Sequence, residues 1–447
     1  MADRLFGTDG IRGKVNVGAI RPANFVRFGE ALGKTLRRDN AANVRVVIGC
    51  DTRTSGKMIE SAIVSGLINA GAVADLIGVV PTPAVGLLTR THGYSAGLMI
   101  TASHNPASDN GVKVFGADGF KLSSELQAEI EALIQSEESC HVDIAEMGTV
   151  AAVNLSEVYA EFARTTVSKG ITLAGLKVCV DAANGAGFNA APEVLSALGA
   201  DVVLVGAEPN GHNINLKCGA LHPEKLTDLV LESEADIGLA FDGDADRIIL
   251  VDEVGHIADG DQIMGAIGLD FHHQGKLKGG AIVATIMSNL GLEVKLRESG
   301  LRLERTAVGD RYVVQRMREG NFNVGGEQSG HVILSDYVTT GDALISALQI
   351  LEIMSRDGRK ASDVLSVFEP LPQILKNVRY KDSDPLENSE IKLLIESVQE
   401  KLGKDGRLVI RKSGTEPVIR VMAEATRPEA AEKAVDDLVN ALSRFVG

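Results

Sequence analysis

Short β-branched runs alternate with longer amphipathic stretches along most of this chain. Strand-like runs include Val44–Ile48, Gly97–Ile100, Lys177–Asp181, Asp201–Val205, Ile237–Phe241 and Ala281–Thr285. Helical periodicity falls between or after them, as in Glu60–Ala70, Leu126–Ile134 and Ala343–Met354. That alternation predicts α/β units with mostly parallel sheets. A weak repeat runs through it: a strand enters a polar, small-residue loop and then a helix in VRVVIGCDTRTSG, in LKVCVDAANGAG and again in AIVATIMSN. Three similar α/β modules account for that pattern. The tail reads differently, with two strand-like runs about a turn in RLVIRKSGTEPVIRVMAEA followed by a helix over Pro428–Phe445.

Boundaries are expected at the acidic stretch Ser136–Gly148, near Val254–Asp261 and around Pro370–Pro372. The expected organisation is therefore 1–150, 151–254 and 255–371 as α/β domains, with 372–447 as a smaller α+β domain. A length of 447 residues, at roughly 150 residues per domain, suggests about three domains.

Composition narrows the function classes. The formal net charge of −15 argues against a chain that coats nucleic acid or an anionic membrane. With no Trp and 4% aromatics, a base-stacking platform is not expected. Glycine, 48 residues, exceeds the usual ~7% and points to tight, backbone-lined loops. Cys50, Cys140, Cys179 and Cys218 lie far apart, which supports neither a zinc site nor a disulfide framework. No apolar run approaches the ~18 residues of a membrane span, and the N-terminal segment has no apolar leader region; a reducing cytoplasm is expected.

Four loops could carry chemistry. In GLMITASHNP an apolar strand ends at a sharp Asn-Pro turn, leaving the Ser103 hydroxyl at the carboxyl edge where open α/β sheets bind ligands. An isolated serine there also reads as a turn or helix cap. Gly-x-Ser-x-Gly is absent, so a hydrolase elbow is poorly matched. Lys113, ten residues on, reads as a cation beside Ser103 or as a solvated lysine. In DGDADR, the spacing of Asp242, Asp244 and Asp246 puts three carboxylates on one face of an extended chain. That donor set suits a hard divalent cation; the alternative is a plain acidic hairpin turn, in which three like charges on one face would repel. An EF-hand would use Glu253 as its twelfth ligand, but Arg247 stands where its glycine is needed. GGEQSGH offers Glu327, Gln328 and Ser329 to sugar hydroxyls, and RKSGTEP with Arg420 offers cations and backbone N–H groups to a phosphate, although each taken alone also reads as an ordinary turn. Two other patterns compete. Gly33-Lys34-Thr35 lacks Walker spacing, whereas Gly185-Ala-Gly187 fits a dinucleotide fingerprint apart from the acidic Asp181 at its entrance.

In this order the motifs resemble the α-D-phosphohexomutase family over essentially the whole chain, from Phe6-Gly-Thr-Asp-Gly-Ile-Arg-Gly13 through TASHNP, DGDADR and GEQSGH to RKSGTEPVIR. The opening motif and Gln328 resemble the glucosamine branch of that family. The resemblance implies three similar α/β domains with mixed, mostly parallel sheets and a smaller α+β C-terminal domain around a central cleft. It implies Ser103 as a phosphoserine, with Asp242, Asp244 and Asp246 binding one Mg²⁺ together with its phosphate. It further implies that Glu327 and Ser329 hold sugar hydroxyls, and that Arg411, Ser413, Gly414, Thr415 and Arg420 grip the distal phosphate. Thr8, Arg12, His104, Lys113, Arg247 and His331 would line the reacting centre. Lys113 is the general-base candidate; Arg247 is the alternative, although a guanidinium hardly deprotonates. The implied reaction interconverts hexosamine 6- and 1-phosphates through a sugar 1,6-bisphosphate intermediate and activator, upstream of UDP-N-acetylglucosamine and cell-wall precursors. Glucose or mannose phosphate mutases of the family, a metal-dependent sugar phosphatase and a non-catalytic sugar-phosphate binder are the alternatives. The expected partner is a small sugar phosphate, with no nucleic acid and no membrane, and the chain is expected as a monomer or homodimer.

Overall fold

The computed structural model of the chain describes residues 5–7, 10–39, 44–136, 140–380, 385–403, 406–412 and 418–444. Three mixed sheets follow one another and a small antiparallel sheet closes the chain. The first orders its strands Ile11–Lys14, Asp109–Gly116, Ala96–Ile100, Arg45–Cys50, Val73–Val79, Val150–Ala152. The second runs Ile257–Ala258, Ile248–Asp252, Ile237–Phe241, Lys177–Asp181, Asp201–Val205, and the third Arg302–Thr306, Ala281–Thr285, Val324–Gly326, Val332–Leu334.

All three share one four-strand unit, which is the repeat glimpsed in the sequence. A first strand (Arg45–Cys50, Lys177–Asp181 or Ala281–Thr285) passes through a helix to a parallel neighbour on one side. A third strand pairs with it in parallel on the other side and then turns back into an antiparallel fourth. The three turns that join third to fourth strand contain Ser103, Asp242–Arg247 and Glu327–His331. Equivalent corners of three modules thus present the three motifs. The strands leading into the first two, Ala96–Ile100 and Ile237–Phe241, are buried throughout because helices cover both faces of a mainly parallel sheet.

One apolar cluster runs continuously from Val47 in the first module through Phe241 in the second to Leu365 in the third, so these modules share a core. The C-terminal sheet, ordered Gln373–Arg379, Val418–Ala425, Gly406–Lys412, packs its own cluster under the helices Ser389–Leu402 and Pro428–Arg444. One element departs from the sequence reading. The helix expected from Glu60 starts at Gly56, a poor helix former that here packs on Cys50. Gly111 lies inside the strand Asp109–Gly116, where a Cβ would stand 2.1 Å from the Ile11 carbonyl oxygen. The cysteines are free and buried, as small hydrophobes are. No described helix is long and apolar enough to cross a membrane.

Candidate active site

Ser103 sits where its strand ends, in a left-handed backbone conformation (φ 50°). A non-glycine residue in that region is strained by roughly 1–2 kcal/mol, which the surrounding contacts must offset. The Ser103 N–H donates to Thr101 Oγ1 at 2.8 Å, and Thr101 Oγ1 donates to Asp51 Oδ2 at 2.7 Å. The serine hydroxyl is buried and donates to Asp242 Oδ2 at 2.7 Å, across the boundary between the first and second modules. Gly243 permits this approach: a Cβ there would lie 2.6 Å from the Ser103 carbonyl oxygen.

Asp242, Asp244 and Asp246 are all buried, and one carboxylate oxygen of each falls within 4.8 Å of the others. Burial, then the charges of Asp244 and Asp246, pushes the Asp242 carboxyl up to about 8. Burial also works against ionised Asp246, but Lys113, His331 and Arg247 overcome it and hold that carboxyl well below its usual range. Lys113 is buried and bridges Asp244 Oδ2 at 2.7 Å and Asp246 Oδ2 at 2.5 Å. Asp244 is also bonded by the Thr82 hydroxyl, from the helix Thr82–Thr91. Asp244 Oδ1 accepts no hydrogen bond among the described residues, and Asp246 Oδ1 faces the His331 ring nitrogen at 3.6 Å. Buried carboxylate oxygens left in this state are costly without a cation. The oxygen donor set therefore fits a hard divalent ion such as Mg²⁺.

Cations and imidazoles surround this pair of loops. His104 Nδ1 lies 3.3 Å from Ser103 Oγ. Burial, reinforced by Arg247 and Arg12, lowers the His104 imidazole to about 4, so it is neutral near pH 7. Arg12 is brought in by pairing of its strand with Asp109–Gly116, opposite Gly111. His331 stands between Asp246 and Asp310, with its Nε2 3.6 Å from Asp310 Oδ2. Burial would lower its pKa, but the carboxylates of Asp246, Asp310 and Glu327 outweigh that and raise it.

Glu327, Gln328 and Ser329 occupy the third module's corner. The Glu327 carboxylate accepts the Gly309 N–H at 3.2 Å, the Gln328 amide donates to Asp259 Oδ2 at 3.1 Å, and Ser329 is exposed. The Gly330 carbonyl accepts the Ile248 N–H at 3.0 Å and so ties this corner to the end of the Asp242–Arg247 loop. Arg411 and Arg420 lie directly opposite each other on antiparallel strands of the C-terminal sheet. Like charges so placed repel. Burial, then the Arg420 charge, lowers the Arg411 pKa, and Arg420 Nε is buried without a hydrogen-bond acceptor among the described residues. This pair suits an anion. Thr8, Ser413, Gly414 and Thr415 lie outside the described residues.

The competing patterns are used elsewhere in the fold. Glu253 accepts the N–H and hydroxyl of Ser362 at 2.9 and 2.6 Å, far from an EF-hand role. A Cβ on Gly185 would lie 2.3 Å from the Gly243 carbonyl oxygen, so that glycine-rich turn packs on the Asp242–Arg247 loop and presents no phosphate cradle. Gly33 lies buried in the helix Pro22–Asp39. Sequence reasoning assigns no site role to Thr82, Asp51 or Asp310, and takes Thr101 only as the residue standing where a hydrolase elbow would need glycine. Only Asp51, a charge closing the buried strand Arg45–Cys50, carries a sequence signal that could have flagged it.

Comparison with known proteins follows the same four-part division. Models of the phosphoglucomutase/phosphomannomutase family match residues 3–141 (alpha/beta/alpha domain I), 157–255 (domain II), 259–371 (domain III) and 375–441 (C-terminal domain). A phosphoglucosamine mutase of Paracoccus denitrificans is 51% identical over 446 residues, covering 99% of this chain and 100% of the relative. One from Agrobacterium fabrum is 52% identical, with 99% of each chain covered. A phosphoglucomutase/phosphomannomutase family protein from Burkholderia thailandensis has a solved structure that superposes with a TM-score of 0.81 at 25% identity, covering 99% of this chain and 98% of that one. The N-acetylphosphoglucosamine mutase of Aspergillus fumigatus, solved with GlcNAc-6P and magnesium, shares the fold at a TM-score of 0.66 and 20% identity, covering 99% of this chain and 96% of that one. With all four family domains matched in order and relatives about half identical along its whole length, the chain belongs to the phosphoglucomutase/phosphomannomutase family of α-D-phosphohexomutases.

Proposed function

We propose that the protein is a phosphoglucosamine mutase that interconverts glucosamine 6-phosphate and glucosamine 1-phosphate through a phosphoserine at Ser103 and a 1,6-bisphosphate. The observation that carries the chemistry is the Ser103 hydroxyl, buried and donating to Asp242 of a carboxylate triad whose other two members pair with Lys113. The full-length relatives named phosphoglucosamine mutase support the choice of sugar.

In the forward direction the bond between phosphorus and Ser103 Oγ breaks as one forms to the sugar O1; the O1 proton leaves to a base and the freed Ser103 Oγ takes up a proton. After the bisphosphate reorients, its 6-phosphoryl group returns to Ser103 and glucosamine 1-phosphate departs. Asp242, Asp244 and Asp246 would hold Mg²⁺, which when bound supplies charge stabilisation to the transferring phosphoryl oxygens. The chain's own contribution is positioning and charge. Lys113, placed between two carboxylates, serves as the triad's charge partner rather than as the base. His104, neutral and with Nδ1 3.3 Å from Ser103 Oγ, takes the proton of the attacking hydroxyl and returns one to the oxygen that the phosphoryl group leaves. Glu327 and Ser329 hold sugar hydroxyls, with His331 lining the same side. Arg411 and Arg420, with Ser413, Gly414 and Thr415, grip the phosphate that is not reacting. Thr8, Arg12 and Arg247 complete the anion-binding wall.

A coupled assay on glucosamine, glucose and mannose 6-phosphates with Mg²⁺ separates the readings by product. Isomerised glucosamine phosphate should form fastest and no inorganic phosphate should accumulate. Stoichiometric phosphate release would establish a phosphatase instead, and a faster rate on glucose or mannose phosphate would move the chain to another branch of its family.

A further inference from the structure

Two side chains from different modules grip the same two backbone carbonyls of the Ser103 turn. Arg53, just past the strand Arg45–Cys50, donates through Nη2 to the carbonyls of Ser103 at 2.9 Å and Asn105 at 2.8 Å. Its Nη1 reaches the carbonyls of Pro106 at 2.5 Å and Asp109 at 3.0 Å, and its Nε pairs with Asp51 at 2.8 Å in a fully buried ion pair. From the second module, Asn215 Nδ2 donates to the Ser103 carbonyl at 2.9 Å and the Asn105 carbonyl at 3.0 Å. Each of these two carbonyls thus has both lone pairs engaged, one from each module.

The Asn215 loop is itself built on the turn that mimicked a dinucleotide fingerprint. Asp181 accepts the N–H groups of Ala183 and Gly219 at 2.9 and 2.7 Å, Asn184 Oδ1 accepts the Glu208 N–H at 3.1 Å, and the Asn215 N–H donates to the Ala183 carbonyl at 2.9 Å. The same loop crosses back to the first module, where the Thr54 N–H donates to the Gly211 carbonyl at 3.0 Å. The acid that would have repelled a pyrophosphate instead anchors a brace on the nucleophile turn.

We propose that Arg53 and Asn215 are positioning residues for phosphoryl transfer, holding the strained left-handed turn so that Ser103 Oγ stays aimed at the triad whether or not it carries a phosphoryl group. The inference rests on Ser103 being the nucleophile. A reaction that returns a phosphoryl group to the oxygen it left requires that oxygen to stay put while its charge changes. A displacement of 1 Å costs on the order of 10²-fold in rate. Neither residue donates to the serine hydroxyl or a triad carboxylate in any described hydrogen bond, so their removal should spare substrate binding.

The test uses Asn215→Gly and Arg53→Lys in the full-length enzyme. Asn215 has φ 58°, which glycine adopts without strain, so the first variant deletes only the amide. Lysine at position 53 keeps a cation beside Asp51 but cannot span four carbonyls. The expected result is a kcat lower by roughly 10-fold for Asn215→Gly and ~10²-fold for Arg53→Lys, with KM for glucosamine 6-phosphate within about twofold of the parent. Because the two residues act on the same carbonyls, the double variant should lose less than the product of the single losses. An unchanged kcat in folded Asn215→Gly, or a rise in KM at constant kcat, would overturn the proposal. So would a loss that merely tracks the unfolded fraction in thermal melts. Ser103→Ala serves as the control: turnover surviving in that variant would strike down the nucleophile reading itself, a result distinct from normal turnover in Asn215→Gly alone.

Discussion

Replacing Ser103 by alanine should lower kcat by ~10⁴-fold or more, with the fold retained. The substitution removes one oxygen from a buried site and leaves the turn's backbone contacts to Arg53 and Asn215 in place. Without the hydroxyl, Asp242 Oδ2 loses its 2.7 Å donor, a modest cost for a carboxyl that burial and its like-charged neighbours already push up to about 8. Intact mass should show a phosphorylated fraction in the parent protein and none in the variant. Because sugar-phosphate contacts are assigned to other loops, KM or inhibitor affinity should change little. Loss of affinity in step with activity would point to Ser103 as a binding residue instead.

Lys113→Met should produce the second large effect, on stability as well as rate. The ammonium group is the shared partner of Asp244 and Asp246 in a region from which water is excluded. Removing one member of a buried charge cluster leaves the others uncompensated, typically at about 3–5 kcal/mol. In chelator the variant should therefore melt well below the parent. Added Mg²⁺ should raise its melting temperature more than the parent's, because the ion then replaces charge that the parent already has. Turnover at saturating Mg²⁺ should still fall by roughly 10²–10³-fold, since a preorganised cation beside the transferring group is gone. Equal melting temperatures in chelator would contradict the role of Lys113 as the triad's charge partner.

Much of the fold was legible because its signals are local. The strands Lys177–Asp181, Asp201–Val205, Ile237–Phe241 and Ala281–Thr285 have the bounds their apolar runs predict. The loop motifs were legible for the same reason, each being contiguous in sequence. What could not be read was the register that joins them. Nothing local says that Asn215, 112 residues from Ser103, holds its carbonyl, or that Thr82 reaches Asp244. The reason for Gly111 likewise lies in a neighbouring strand, whose Ile11 carbonyl oxygen leaves no room for a Cβ. The dinucleotide pattern failed in the opposite way: its spacing was right, but tertiary packing filled the space a phosphate would need.

Charge tells a similar story at larger scale. A chain of net −15 is an unexpected host for a sugar phosphate, but its cations are gathered where they matter. Arg12 and Arg247 both bear on His104, Lys113 offsets two buried carboxylates, and Arg411 faces Arg420 across one pair of strands. The acids left over are free to keep the exterior soluble.

The most direct measurement is a single turnover with enzyme labelled in the Ser103 phosphoryl group. Mixed with unlabelled glucosamine 6-phosphate and Mg²⁺, the label should leave the protein at a rate competent for turnover and appear in glucosamine 1,6-bisphosphate and then in glucosamine 1-phosphate. Label that stays on the protein through many turnovers, or that leaves as inorganic phosphate, would contradict the phosphoserine mechanism.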